Sequence, residues 1–262
     1  MIQQTTQLSD GRRLRSQALR ERYPFAAEML TLYEALLDAQ LNCGIPDFTS
    51  GATASAIAVY AAEEMMPRVV EATAAHGPAH LAAAVSERFA LGGLVDITAR
   101  WLTDDELSPL DRYLARAATQ PVLEALGGAA SIWPEQPEDE RRCPVCGGLP
   151  QLAYFEVSGE ALVTGPRRLL CARCSNVWTA QRLTCISCGE QSSERLPVFR
   201  EKDNFPHVRV DGCETCKRYV LTIDLLKDIR AVPVVDELAA LPLDLYAQER
   251  GLTKIMPNVL GN

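Results

Sequence analysis

Eight of the nine cysteines in this 262-residue chain fall into four Cys-x-x-Cys pairs: Cys143/Cys146, Cys171/Cys174, Cys185/Cys188 and Cys213/Cys216. A Cys-x-x-Cys turn aims two sulfurs at one point, and two such turns face to face complete a tetrahedral four-sulfur shell, with metal–sulfur distances of about 2.3 Å for zinc. The offsets support such pairing. Cys143 to Cys171 is 28 residues, Cys185 to Cys213 is again 28, and the whole pattern recurs after 42. Gly147 maps onto Gly189 and Arg167 onto Arg209 under that shift, so an internal repeat is the economical reading. It predicts one site from Cys143, Cys146, Cys171 and Cys174, and a second from Cys185, Cys188, Cys213 and Cys216. The spacing also admits another arrangement, in which Cys171/Cys174 meet Cys185/Cys188 and Cys143/Cys146 join Cys213/Cys216.

The chemistry open to such sites is bounded. Binding deprotonates the thiols and supplies on the order of 10–16 kcal/mol of apparent folding free energy. A module of about 40 residues has too little core to fold unaided, so each unit needs its ion. With four thiolate ligands no position is left for water, which argues against metal-assisted hydrolysis. All-sulfur shells suit zinc or iron equally on geometry. Thioredoxin-like chemistry needs one such motif at a helix N-terminus in an α/β unit, and four pairs among short β-like runs do not fit it. Cys43 reads as a small buried hydrophobe. His76, His80 and His207 have no partner at metal spacing, and His207 is expected on an exposed hairpin. Trp178, with Val220 as its counterpart, is expected to shield sulfurs from water. No Ser-His-Asp set, P-loop or GxGxxG is present, and an enzyme is not expected.

The elements that carry these pairs are short runs such as QLAYFEV, RLPVFR, HVRV and RYVLTI. Ahead of them, residues from about 11 to 128 read as six or seven helices. FAAEMLTLYEALLDAQ follows Pro24. ATASAIAVYAAEEMM runs to Pro67, and AHLAAAVSERFAL stops at Gly92-Gly93. Ser108-Pro109 with Asp111 caps the next helix, and Pro121 is expected to start a separate last piece. Gly, Pro and charge between 129 and 142 mark a linker. Beyond the cysteines, VPVVDELAALPLDLYAQERG reads as helical, with Val235, Leu238, Leu241, Leu245 and Tyr246 in one register. Gly251 follows as a C-cap, and the end is expected to be irregular. The expected class is therefore α+β. A helical domain (1–128) and a linker (129–142) precede two rubredoxin-like or zinc-ribbon-like modules (143–182 and 183–222) and a helical tail (223–262).

Net charge is −8, unevenly spread: 141–218 holds twelve Lys/Arg against eight Asp/Glu, formally +4, leaving −12 elsewhere. Local base suggests nucleic acid, but eight thiolates around two divalent ions would carry a formal −4 and cancel it. No run of about 18 apolar residues predicts a membrane span. The arginine-bearing N-terminus lacks the apolar core of an export signal, and paired thiols fit a reducing compartment, so the cytoplasm is expected.

CPVCGGLP, LLCARCSNVWTAQRLTCISCG, GCETCKRYV, DELAALPLDLYAQERG and PNVLG, with LYEALLDAQ nearer the N-terminus, resemble the formate dehydrogenase accessory proteins called FdhE. The resemblance covers most of the chain. It implies a helical domain followed by two rubredoxin-like units, with iron at the eight cysteines that match the family's four pairs. It further implies a cytoplasmic, non-enzymatic factor that binds the catalytic molybdenum or tungsten subunit of respiratory formate dehydrogenase before twin-arginine export. Beside it stand two other classes, a rubredoxin-like electron carrier or thiol-redox protein, and a zinc-ribbon nucleic-acid binder.

Overall fold

The computed structural model describes residues 2–45, 52–127, 132–133, 139–157 and 165–261, the side chains of 2–7 excepted. Most of the expected linker 129–142, and residues 46–51 of the stretch NCGIPDFTSG (42–51) that is expected to break the helix before it, lie outside these residues. The chain divides into two compact units, one built mainly from residues up to Glu135 and one mainly from Gln136–Ala172 and Asn176–Asn258.

The first unit is helical: α1 (Ile2–Arg22), α2 (Ala27–Asn42), α3 (Ala54–Tyr60), α4 (Met66–His76), α5 (Ala79–Ala90), α6 (Leu94–Leu102) and α7 (Pro109–Leu126). Leu32 and Leu36 of α2, Val69 of α4, Ile97 and Trp101 of α6 and Leu114 of α7 share its core. Ser108 accepts the Asp111 N–H at 3.1 Å ahead of Pro109, as its sequence predicts. Two prolines behave differently from expectation. Pro67 does not end a helix: a π-turn over Ala61–Met65 joins α3 to α4, and the extra residue absorbs the missing N–H. Pro121 lies inside α7 instead of starting a new helix. The carbonyl it strands is that of Ala117, and the Gln40 side chain donates to it at 2.9 Å, which satisfies the acceptor that the helix leaves open.

The second unit is a seven-stranded sheet in the order β3-β2-β1-β6-β5-β4, with β7 also on β6. Its strands are β1 (Pro150–Phe155), β2 (Arg167–Cys171), β3 (Val177–Ala180), β4 (Val198–Arg200), β5 (Val208–Cys213), β6 (Arg218–Asp224) and β7 (Thr253–Lys254). Each four-cysteine repeat contributes an antiparallel set, and the parallel β1–β6 pairing, with Ala153 beside Thr222, fuses the two into one sheet. The helices α8 (Pro233–Ala239) and α9 (Leu241–Glu249) pack on it, α8 against β1 and β6 and α9 against β5. The expected single register of the tail breaks at Ala240 (φ −81, ψ 22), because Pro242 cannot donate to Leu238. Leu245 and Tyr246 consequently rotate outward, to 50 % and 37 % exposure, where one register had them in the core. Gly251 adopts φ +73 after α9, as a C-cap requires. The end is irregular except for β7.

A buried ionic strut fastens this tail. Lys254 Nζ lies 2.8 Å from Glu237 and 3.1 Å from Asp244, Tyr219 donates to Asp244 at 2.7 Å, and Gln151 of β1 donates to Glu237. Burial raises the Glu237 carboxyl above its usual range despite Lys254. The two carboxylates overcome burial to hold the Lys254 ammonium above its own.

Candidate metal centres

Each repeat starts with a turn that aims two thiols inward and ends with a second turn at the end of a strand. In the first repeat the Gly147 N–H donates to the Cys143 carbonyl at 2.9 Å, and the Cys143 N–H closes on Gly148 at 3.0 Å. That geometry points the Gly148 N–H at Cys146 Sγ, 3.4 Å away. The second repeat copies both closures, Gly189 donating to Cys185 at 2.9 Å and Cys185 closing on Glu190 at 2.8 Å, while here it is the first cysteine of the turn, Cys185, whose Sγ meets an N–H, that of Ser187, at 3.4 Å. The residue after the second cysteine is left-handed in all four turns, at Gly147 (φ +71), Ser175 (+57), Gly189 (+82) and Lys217 (+56). Glycine makes this conformation easy at the leading turns. Ser175 and Lys217 hold it at a cost of about 1–2 kcal/mol, and no glycine signals it in the sequence.

These turns bring the thiols together as Cys143/Cys146/Cys171/Cys174 and Cys185/Cys188/Cys213/Cys216, the sulfurs of each group all within 4.8 Å of one another. The alternative pairing across 171–188 is thereby excluded. All eight are free thiols. Sulfur separations are 3.4 Å for Cys146–Cys171 and 3.7 Å for both Cys185–Cys216 and Cys188–Cys213. A tetrahedral shell with 2.3 Å metal–sulfur bonds has edges of about 3.8 Å, so both clusters have the donor set and size for a tetrathiolate ion. Burial pushes the Cys185 thiol up to about 12. Cys213 is buried too, but backbone N–H groups of Cys216 and Thr215 hold it below the ordinary thiol value. Protein dipoles thus already favour part of the negative charge that a cation would complete.

Their surroundings differ. All four cysteines of the first cluster are buried, and the Asn176 amide reaches Cys143 Sγ at 3.7 Å. In the second, Cys185 and Cys213 are buried, Cys216 is half-buried and Cys188 is exposed. Glu190 ties its two turns together by accepting the Thr215 hydroxyl at 2.6 Å. Arg141 donates to the Ser187 carbonyl at 3.3 Å and brings positive charge toward Cys185 and Cys188. Trp178 and Val220 are both buried, and the Trp178 indole donates to Glu140 at 3.1 Å.

His207 departs from expectation. It is 3 % exposed, not on an exposed hairpin, and its Nε2 lies 2.7 Å from Asp236 Oδ1. Asp236 also accepts the Val232 N–H at 2.7 Å, so the pair pins the start of α8 to β5. With Asp228 these form a third group at metal-compatible distances. Sequence spacing could not signal it, since Asp236 lies 29 residues on. Cys43 is half-buried, its sulfur 3.2 Å from the Tyr60 hydroxyl, and belongs to no such group among the described residues. Neither do His76 and His80, which are exposed. No helix among the described residues is long and apolar enough to cross a membrane.

Residues 183–260, which carry the second cluster and the tail, match the family model described as FdhE, C-terminal domain. A protein FdhE homolog of Aquifex aeolicus is 30 % identical over 164 residues, 61 % of this chain and 54 % of that protein. Protein FdhE of Escherichia coli is 28 % identical over 120 residues, 46 % of this chain and 37 % of its own length. The matched region thus spans between about a third and a little over half of these relatives. In three dimensions the crystal structure of the FdhE protein from Pseudomonas aeruginosa superposes with a TM-score of 0.69 at 23 % identity, over 97 % of this chain and 95 % of that one.

Proposed function

We propose that this chain is a member of the FdhE family, whose C-terminal-domain model matches residues 183–260, and a cytoplasmic assembly factor for a respiratory formate dehydrogenase. It binds the catalytic molybdenum or tungsten subunit before twin-arginine export, is needed for its activity, and is absent from the finished enzyme. The observation that carries this reading is the pair of closed four-thiol clusters on one sheet, running into a tail that matches the FdhE C-terminal domain. Such clusters present thiols without an open coordination position, which suits a factor that holds a client better than one that turns over a substrate.

In the same reading Cys143, Cys146, Cys171 and Cys174 hold one ion, and Cys185, Cys188, Cys213 and Cys216 a second. Iron is the metal proposed, with zinc as the alternative. Either ion supplies the charge that four thiolates lack, and iron would add a one-electron couple. The helical domain (1–128), the linker (129–142), the two modules (143–182 and 183–222) and the tail (223–262) are the working divisions of the chain.

Deleting the gene in its host should abolish formate oxidation, and the tagged chain should retrieve the catalytic subunit. Unchanged oxidation together with no retrieved subunit overturns the reading. A second reading, electron transfer, is favoured by the exposed Cys188. It requires iron-loaded protein with a reversible Fe(III)/Fe(II) couple, and zinc-only protein that still activates the client eliminates it.

A further inference from the structure

The sheet has two unlike faces. Directly opposed residues in a ladder project to the same side. Tyr219, Leu221 and Ile223 therefore share the face that meets the tail helices, where Tyr219 bonds Asp244 of α9. On the other face Arg167 stands opposite Phe155, Phe155 lies beside Asp224, and Arg209 stands opposite both Thr222 and Arg200. A cavity of about 580 Å³ opens over this second face. Its walls carry Arg167, Arg182, Arg200, Arg209, Arg218 and Lys227 against only Asp211 and Asp224.

Ordinary roles account for part of that charge. Asp211 is taken by Arg167 at 3.2 Å, Arg209 at 2.8 Å and Thr222 at 2.7 Å. Arg141 and Arg167 offset the charge of the second cluster. Arg182 donates to the Gly165 carbonyl and lies over the Phe155 ring, and Lys227 donates to the Pro206 carbonyl at 3.1 Å. Arg200 and Arg218 are exposed and have no ion-pair partner among the described residues. Arg200 faces Arg209 directly across β4 and β5, a like-charge pairing that weakens a ladder. Arg167 is 5 % exposed and donates through its terminal nitrogens to the Thr184 carbonyl at 3.0 Å as well as to Asp211, while its Nε has no hydrogen-bond partner. On the same cavity Leu183 is held at φ +55 with 79 % of its surface exposed, a conformation that bulky side chains rarely adopt. Val198, also lining it, is 47 % exposed.

We propose that this face receives an acidic segment of the protein partner, with carboxylates set against Arg182, Arg200 and Arg218 and an adjoining apolar side chain on Leu183 and Val198. The proposal rests on the reading of the chain as a client-binding factor and names where the client is held. A volume of this size suits a short peptide segment, and the cationic walls select for carboxylates and steer their approach. Cys185 lines the same cavity, so a bound segment lies beside the second cluster.

The test measures affinity of the full chain, metal-loaded, for the purified catalytic subunit of its host's formate dehydrogenase. Arg182→Glu with Arg200→Glu should weaken binding by about tenfold or more, and the wild-type affinity should fall with added salt. Leu183→Gly, which relieves the left-handed strain, should bind less tightly while melting no lower than wild type. A merely structural Leu183 would not show that combination. Polyglutamate should compete with the client. Wild-type binding with both variants unaffected overturns the proposal and leaves the assembly role standing. Loss of RNA affinity in the variants with client binding intact overturns it in favour of a nucleic-acid surface. If the wild type binds no client, the assembly reading is what fails. Polyglutamate binding to wild type but not to the double variant then still supports an acidic-peptide site, and its absence removes it.

Discussion

The first and second four-cysteine clusters share one spacing and one sheet, yet all four cysteines of the first are buried while the second shows Cys188 and Cys216 to solvent. Matching positions already differ in bulk, with Trp178 after the first cluster where Val220 follows the second. Asn176 adds a side-chain donor to Cys143, whereas the second cluster is braced from its rim by Glu190 and Arg141. An ion held by four buried thiols is shielded from incoming ligands, so its main contribution is to hold the fold together. An accessible centre can hold its turns and also respond to what docks beside it. The cavity that includes Cys185 lies next to the second cluster.

The largest effect that would break this comparison comes from removing single ligands. Cys171→Ser should lose one metal equivalent and most of the sheet unit's folding, a substantial part of the ~10–16 kcal/mol that such sites supply. Cys188→Ser should keep a weakened second site, because solvent can fill the vacated position. Metal analysis with circular dichroism separates the two, and equal losses would mean that exposure does not matter. Of intermediate size is the order of metal loss to a chelator. One equivalent should leave early and one late, with amide exchange rising first around Gly189 and only later around Gly147. Simultaneous release would show that the clusters open as one.

The smallest effect tests whether the strut couples them. Glu237 takes Gln151 from β1, which leaves the first cluster, and Lys254 from β7, which pairs with β6 beyond the second. Its folded pKa is raised, chiefly by burial, above an unfolded value of about 4.3. Its contribution is therefore fully present below that unfolded value and is lost as pH rises through the folded one. The stability of wild type relative to Glu237→Gln, from denaturant melts, should accordingly increase as pH is lowered across that window. A difference that stays flat with pH would show that Glu237 titrates as it does in the unfolded chain.

Much of the site was legible because its chemistry is local. Thiols two residues apart, a glycine after each leading pair and equal offsets are properties of short stretches, and the turns formed as they predicted. The helical half was legible for the same reason, through periodicity and the Ser108-Pro109 cap. The misreadings at Pro67 and Pro121 share a cause. A proline's penalty is local, but its relief came from a π-turn in one case and from Gln40, distant in sequence, in the other. His207 was misjudged because Asp236, which buries it, arrives from a helix 29 residues away.

By itself, then, the sequence determined the grouping of the thiols, the two-unit repeat, the turns of the leading cysteine pairs and the helical character of the first half. All of these rest on covalent neighbours and periodicity. Tertiary structure alone decided that the two repeats share one sheet, which cysteines are sealed and which exposed, and that Arg167, Arg200 and Arg209 gather on one open face. Those outcomes depend on strand register and on which face the tail helices cover. Such long-range pairings are fixed by the total burial they achieve, which no short window of sequence contains.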